Sequence, residues 1–234
     1  MSALDYSATY DPETDFDAHF TRATGAAIAT WLQPGHRVLE LGCATGLMTG
    51  MLAGDGRRVL AIERSAEYID RARARALDGV EVRSGDIDAL GDLGERFDHV
   101  VLANVLHEVA DPHAVLAAAS RWVEPGGLVH VSLQNPRSLH RLVAREMGLL
   151  EDLAEISARG EAFGTQRMWY ADELSAMGTA AGLVERHRED VFLKPLPNAA
   201  LAELDPTVLE GLARAGRHVP GLAAINLLVF ARAR

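Results

Sequence analysis

The sequence predicts an α/β protein built on an open, doubly wound, mostly parallel sheet. Three observations carry that prediction: apolar runs of strand length recur, helical stretches separate them, and Gly, Asp or Asn bounds the runs. The runs are "HRVLELG" (36–42), "RRVLAIE" (57–63), "VEVRSGD" (80–86), "FDHVVLAN" (97–104) and "GLVHVSLQN" (127–135). Rich in Val and Leu, they read as buried parallel strands. Between them "LMTGMLAG" (47–54), "AEYIDRARARAL" (66–77) and "PHAVLAAASRWV" (112–123) read as helices. The last has Pro112 at a favourable first position and "EPGG" (124–127) at its end. Repeated strand–helix–strand units give a doubly wound sheet, whose ligands bind beyond the strands' carboxyl ends where the strand order reverses.

The flanking segments follow the same logic. "FDAHFTRATGAAIATWL" (16–32) predicts a leading helix over one face of the sheet. After the fifth strand the alternation stops, and residues 137–170 form a long, partly helical excursion. A helix resumes over "ADELSAMGTAAG" (171–182). Two further strand-like runs, 183–193 and 223–233, enclose a helical segment from Ala200 to Gly216.

Composition bounds the function classes. A chain of 234 residues can bury a substantial single core. A formal charge of −10 argues against nucleic-acid partners, which require a basic surface to neutralise phosphates, and against adhesion to anionic membranes. Lys194 is the only lysine and Cys43 the only cysteine, so no internal disulfide forms and a reducing compartment fits. No secretion signal and no apolar run of about 20 residues are found, so no membrane span and a cytoplasmic location are expected.

"VLELGCATG" (38–46) carries the first chemical signal, a strand that delivers Glu40 into a turn of small residues. A dinucleotide fold requires G-x-G-x-x-G to admit a pyrophosphate, whereas Gly42, Ala44 and Gly46 give G-x-A-x-G. A phosphate loop requires Gly-Lys-Ser/Thr, whereas Leu47 and Met48 follow Gly46. The turn suits a ligand with an amino-acid end and a nucleoside end and no phosphate. The methyl of Ala44 disfavours positive φ, which predicts right-handed or extended backbone there. Cys43 is read as small rather than reactive.

Four motifs, in order, resemble those of the class I S-adenosylmethionine-dependent methyltransferases: "VLELGCATG", "VLAIERS", "SGDIDAL" and "FDHVVLANVLHEVADP", with "WVEPGGLVHVSL" leading into the fifth strand. The resemblance runs from about Arg37 to Asn135. It implies a Rossmann-like sheet of seven strands with the last antiparallel, and S-adenosylmethionine as cofactor, leaving as S-adenosylhomocysteine. The cofactor-binding residues it implies are Glu40, Gly42, Cys43, Ala44, Gly46, Glu63, Arg64, Asp86, Ile87, Asn104 and Leu106. Glu63 would accept from the ribose hydroxyls, a charge-assisted pair of bonds, with a solvated strand-end acid as the alternative. Asp86 would accept from the adenine amino group and Ile87 pack on the ring, with a helix-capping Asp as the alternative. Glu40 would orient the turn or the ligand's ammonium, while Asn104 and Leu106 line the pocket.

The chemistry then requires alignment of nucleophile, methyl and sulfur with water excluded. His107, in "NVLHEV", is the leading general base for a hydroxyl acceptor, and His140 is a second catalytic candidate. Related enzymes often read Leu-Glu-His where this chain reads Leu-His-Glu. In "NPRSLHRLVAREMGLLEDLAEI" (135–156), Leu139, Leu142, Val143, Leu150 and Leu153 fall on one helical stripe, with His140, Arg141 and Arg145 projecting elsewhere. The substrate-binding set is Arg137, Arg141, Trp169, Tyr170 and Lys194. The arginines suit an acidic or phosphorylated acceptor, or else pair with Glu146, Glu151 and Asp152 on a solvated face. "GTQRMWYADEL" (164–174) and "FLKPLPNA" (192–199) close the same pocket. Tyr6, Tyr10 and His19 are candidate contacts from the N-terminus.

The expectation is one methyltransferase domain over residues 1–234: a helical cap (1–34), a cofactor core (35–135), a helical lid (136–170) and the rest of the sheet (171–234). It transfers a methyl group to a small molecule, at a hydroxyl of a natural product, sugar or quinone-like compound, because histidines gather near the site. No metal is expected, and a homodimer stays open. N- or C-methylation and a non-catalytic cofactor-binding module are the alternatives.

Overall fold

The structure, a computed structural model, describes residues 7–233. Its first half alternates as the apolar runs dictate. After α1 (Asp17–Ala29) come β1 (Arg37–Leu41), α2 (Thr49–Leu52), β2 (Arg58–Glu63), α3 (Ala66–Ala74) and β3 (Val80–Ser84). Then follow β4 (Phe97–Ala103), α4 (Pro112–Trp122) and β5 (Val123–Gln134). The second half adds α5 (Leu139–Glu146), α6 (Ala158–Ala162), α7 (Ala171–Ala180) and β6 (Leu183–Val191). It ends with α8 (Asn198–Leu201), α9 (Pro206–Ala215) and β7 (Ile225–Arg232).

The seven strands lie in the order β3-β2-β1-β4-β5-β7-β6. Strands β1 to β5 pair in parallel, and β7 runs antiparallel to both β5 and β6. The central strands are apolar on both faces, which is why they read as continuous runs rather than alternating ones. Leu39, Leu41, Val100 and Leu102 point into a core closed by Leu116 and Trp122 of α4 and Leu174 of α7. Their neighbours Val38 and Val101 join Leu227 and Val229 beneath Phe20 and Ile28 of α1 and Leu209 of α9. The order reverses between β1 and β4, so the crevice expected of such sheets opens beyond Leu41 and Ala103. Among the described residues, no helix is long and apolar enough to cross a membrane.

Several boundaries differ from the expected ones for local reasons. The helix expected over 47–54 is a single turn, because Gly46 and Gly54 both take left-handed backbone, φ 79° and 90°. The leading helix ends at Ala29 rather than 32. The "EPGG" stretch breaks α4 but joins β5, where Phe97 pairs with Val123. A Cβ on Gly127 would stand 2.6 Å from the Asp98 carbonyl oxygen.

The excursion after β5 departs furthest. Helix α5 stops at Glu146, and Leu150 and Leu153 lie beyond it, so the expected five-residue apolar stripe does not form. Its one buried residue is Arg141, while Val143 is exposed. Arg141 Nε donates to the Leu153 carbonyl at 2.7 Å, and its Nη2 donates to the Glu155 carbonyl. The guanidinium, with five donors on one planar group, ties the irregular segment together where a leucine could not.

Candidate active site

One cavity of about 430 Å³ lies beyond the carboxyl ends of β1, β2, β3 and β4 and runs under the excursion after β5. Its first half is built by turns. The Gly42 and Cys43 amides both donate to the Ile62 carbonyl, at 2.9 and 3.1 Å. Gly42 has φ 77°, and a Cβ there would stand 3.0 Å from Val105 Cγ2, so both backbone and space require glycine. Gly46 serves a different purpose: it is off the cavity wall and lets the turn close against Ala72 of α3 and Arg75 just after it.

Ala44 corrects the sequence reading. Its φ is 46°, left-handed rather than right-handed or extended. The twist aims its amide at Glu63 Oε2, 2.9 Å away. A charge-assisted bond offsets the conformational cost of about 1–2 kcal/mol. Glu63 Oε1 in turn accepts from the amides of Arg64 and Ser65 at 2.8 and 2.9 Å. The buried carboxylate at the end of β2 therefore holds both turns in register.

Glu40 is buried beside it and pushed up to about 7, first by burial and then by the charge of Glu63. The hydroxyl of Thr49 donates to Glu40 Oε2 at 2.6 Å and resists that shift. Cys43 is pushed well upward by burial and by the two carboxylates, which keeps it a thiol. Asp86 lines the wall with Ile87 and also caps the 3₁₀ turn Ile87–Ala89, accepting from Asp88 N at 3.1 Å. Asn104 has φ 52°, and its Oδ1 is buried with no partner among the described residues. Leu106 is off the wall, 1% exposed within the core.

His107 stands where the two halves meet. It is largely enclosed, 13% exposed, and desolvation pushes it down to about 4, so its imidazole is neutral at ordinary pH. Its Nδ1 has no partner among the described residues, and its Nε2 is 3.6 Å from Glu108 Oε1. Glu108 also meets Arg64 at 3.5 Å, which links the β2 turn to the β4 turn.

The second half of the cavity gathers residues distant in sequence. His140 and Lys194 line it, joined by the His140 amide donating to the Lys194 carbonyl at 3.1 Å. His140 Nδ1 is 3.1 Å from Ser138 Oγ, and burial with nearby Lys194 and Arg141 pushes it down to about 3. Arg141 is on the wall too, with its guanidinium already bound to carbonyls. Arg159 of α6 pairs with Asp15 and Asp17 at 2.7 and 3.0 Å and lies 4.8 Å over the Phe163 ring. Tyr10, 4.7 Å from Phe163 between ring centres, brings the N-terminal segment across this roof.

Three expected substrate contacts lie off this wall. Arg137 is exposed and lies 4.9 Å over the Tyr170 ring, and Tyr170 begins α7, where its amide donates to Glu173 at 2.9 Å. Trp169 is stacked by Arg167 at 4.0 Å and borders a smaller adjoining hollow that shares His107. His19 packs on Phe16, also off the wall, and Tyr6 falls outside the described residues. The histidine concentration is elsewhere as well. His36, His99 and His130 form a chain of 2.9 Å contacts on the sheet, and none lines the cavity. Sequence reasoning missed Glu108 and Arg159. The first was legible as the acid of "LHE", whereas nothing near Arg159 in the chain marks it.

The glycine turn sets two buried carboxylates, Glu40 and Glu63, beside bare peptide and small residues. The arginine at its edge, Arg75, is bound to the Thr45 carbonyl at 2.6 Å. That constellation, at the switch point of this sheet, suits a nucleoside-bearing ligand without phosphates. The orphaned Asn104 Oδ1 and His107 Nδ1 fit a polar ligand, because buried groups left unpaired cost about 1–3 kcal/mol each.

Comparison with known proteins agrees. A family profile described as a methyltransferase domain matches residues 39–131. A ubiquinone biosynthesis O-methyltransferase of Chelativorans sp. (strain BNC1) is 33% identical over 187 residues, covering 76% of this chain and 70% of the relative. Its counterpart in Aeromonas salmonicida is 31% identical over 170 residues, covering 70% and 69%. The crystal structure of an S-adenosylmethionine-dependent methyltransferase from Mesorhizobium loti matches the fold with a TM-score of 0.66. It is 20% identical and covers 90% of this chain and 98% of that one. The chain belongs to the class I S-adenosylmethionine-dependent methyltransferases.

Proposed function

We propose that this enzyme methylates a hydroxyl group of a small molecule that presents ring or alkyl surface, as a quinone-like or natural-product acceptor does. The observation that carries the reading is His107: a neutral, largely enclosed imidazole with an unpartnered nitrogen, at the junction of the two cavity halves. A hydroxyl must lose its proton to become a good nucleophile, and the unpartnered imidazole nitrogen offers a lone pair for it. Glu108 Oε1, 3.6 Å from Nε2, would stabilise the imidazolium that burial disfavours. The two relatives, both ubiquinone biosynthesis O-methyltransferases, support the same reading.

When bound, S-adenosylmethionine supplies an electrophilic methyl on a sulfonium. Glu63, already ordered by three amides, would take the ribose hydroxyls on its remaining acceptor positions. Asp86 and Ile87 would bracket the adenine, and Glu40 with the Gly42–Ala44 turn would hold the amino-acid end. Glu40 is poised near neutrality, so a ligand ammonium beside it would draw it into the charged form. Leu149, Leu150 and Phe163 would shield the reacting groups from water.

The test is transfer of isotopically labelled methyl from S-adenosylmethionine to a panel of catechols, amines and activated-carbon acceptors. Oxygen-bound label in the catechol products, identified by NMR, is expected. Label on nitrogen or carbon only would overturn the hydroxyl assignment.

A further inference from the structure

The acceptor half of the cavity contains a cation that its surroundings do not neutralise. Lys194 lines the wall just after β6, where Phe192 at φ 63° turns the chain and the Leu193 amide anchors to the Leu212 carbonyl at 2.9 Å. Its carbonyl receives the His140 amide, so the residue is held from both sides. Among the described residues its ammonium has no ion pair or hydrogen bond. Its Nζ lies 5.4 Å over the Phe20 ring, a weak cation–π contact.

The charged groups around it are already committed. Asp17 accepts from Arg159 at 3.0 Å and from Asn198 Nδ2 at 3.1 Å, and Asp15 accepts from Arg159 at 2.7 Å. Arg141 and Arg159 add positive potential, and His140 is held neutral. Burial, countered in part by Asp17, brings the Lys194 ammonium down to about 8. A half-buried unpaired charge is unfavourable, and an oxyanion on a ligand would remove that cost. Phe20, Met48, Leu150 and Ile225 add apolar surface to this wall, beside the neutral polar groups of Thr21, Gln134 and Asn198.

We infer that Lys194 ion-pairs with an oxyanion, a carboxylate or a phosphate, on the methyl acceptor, and that the acceptor is a hydroxylated acid. This rests on the small-molecule reading of the cavity. It differs from the sequence expectation in making the chain's one lysine, rather than the lid arginines, the group that recognises charge.

Because Lys194 is the only lysine, protein isotope-labelled at lysine Cε gives one side-chain signal. The labelled protein, saturated with S-adenosylhomocysteine, is titrated with protocatechuate, its primary amide, and the matching catechol phosphonate. Either anion should raise the Lys194 titration midpoint and bind about tenfold or more tightly than the amide, about 1.4 kcal/mol. The ratio of the two anions identifies the preferred oxyanion. Lys194→Met should erase the preference while amide affinity holds, and Lys194→Arg should keep part of it. Unchanged calorimetric affinity for S-adenosylhomocysteine shows that the variants fold. An unmoved midpoint, equal affinity for acid and amide, or no binding of either anion overturns the inference. Tight anion binding without methyl transfer would instead refute the hydroxyl-methylation reading and leave the lysine site standing.

Discussion

The two halves of the cavity are built by different means. The half proposed for the cofactor is made from turns that directly follow strands, and its polar contacts join residues that the sheet itself brings together. Glu63, for instance, reads the amides of its own two successors and of Ala44 on the adjoining strand's turn. The acceptor half draws Asp17, His140, Arg159 and Lys194 from four segments, assembled by α1, the post-β5 excursion and the end of β6. The first half depends on backbone conformation and the second on side-chain charge. A damaged turn should therefore cost cofactor affinity, whereas a damaged acceptor wall should cost turnover or selectivity.

His107 lies on the boundary and gives the largest expected effect. His107→Ala should lower turnover by about 10²–10⁴-fold, the usual contribution of a general base. Affinity for S-adenosylhomocysteine by calorimetry should be nearly unchanged. Because the imidazole is held near 4, wild-type turnover should show no histidine titration between about pH 6 and 8, where a free imidazole would titrate. Full activity in the variant would move the base elsewhere, with His140 next in line.

Glu63→Ala breaks the other side of the comparison. It removes the acceptor for three amides as well as the proposed ribose contact, so cofactor affinity should fall by about 1.5–3 kcal/mol. That corresponds to roughly tenfold to 150-fold in Kd. Turnover at saturating cofactor should fall far less than in His107→Ala.

Glu40 sharpens the electrostatic difference. Its folded-state value is raised from an ordinary 4.5 to about 7, so between those pH values the folded protein binds a proton that the unfolded chain releases. Its contribution is fully present below 4.5 and is lost as pH rises to 7. Relative to wild type, Glu40→Gln should flatten that decline by roughly 1–3 kcal/mol, read from denaturant unfolding across the window. Parallel curves for the two proteins would show that Glu40 ionises normally.

The smallest effect tests the turn itself. Ala44→Gly should stabilise the protein by up to about 1 kcal/mol, because glycine adopts φ 46° without the methyl's penalty. Destabilisation would mean that the methyl makes a contact worth more than the strain.

The same contrast explains what was legible in the sequence. The strands, their order of appearance and the acidic residues at their ends were readable because each motif is contiguous and its chemistry local. The positive φ of Ala44 was not, since it is imposed by a carboxylate 19 residues away on another strand. Arg141 does line the cavity, but the partners of its guanidinium were not legible, for a related reason. Its helix ends at Glu146, and the guanidinium seeks the carbonyls of Leu153 and Glu155. An amphipathic pattern continued past Gly148 gives no hint of that fold-back. Arg137 and Tyr170 form their own stacked pair off the cavity wall, and of the cations on that wall Lys194 is the one without an ion pair or hydrogen bond among the described residues. Long-range packing decided each of these positions.

The most direct test of the two-part site is a crystal structure with S-adenosylhomocysteine bound. The ribose hydroxyls should lie against Glu63, the adenine beside Asp86 and Ile87, and the sulfur should face His107 with the Lys194 side of the cavity still open. A ligand in any other place, or with its ribose away from Glu63, would contradict the division of the cavity described here.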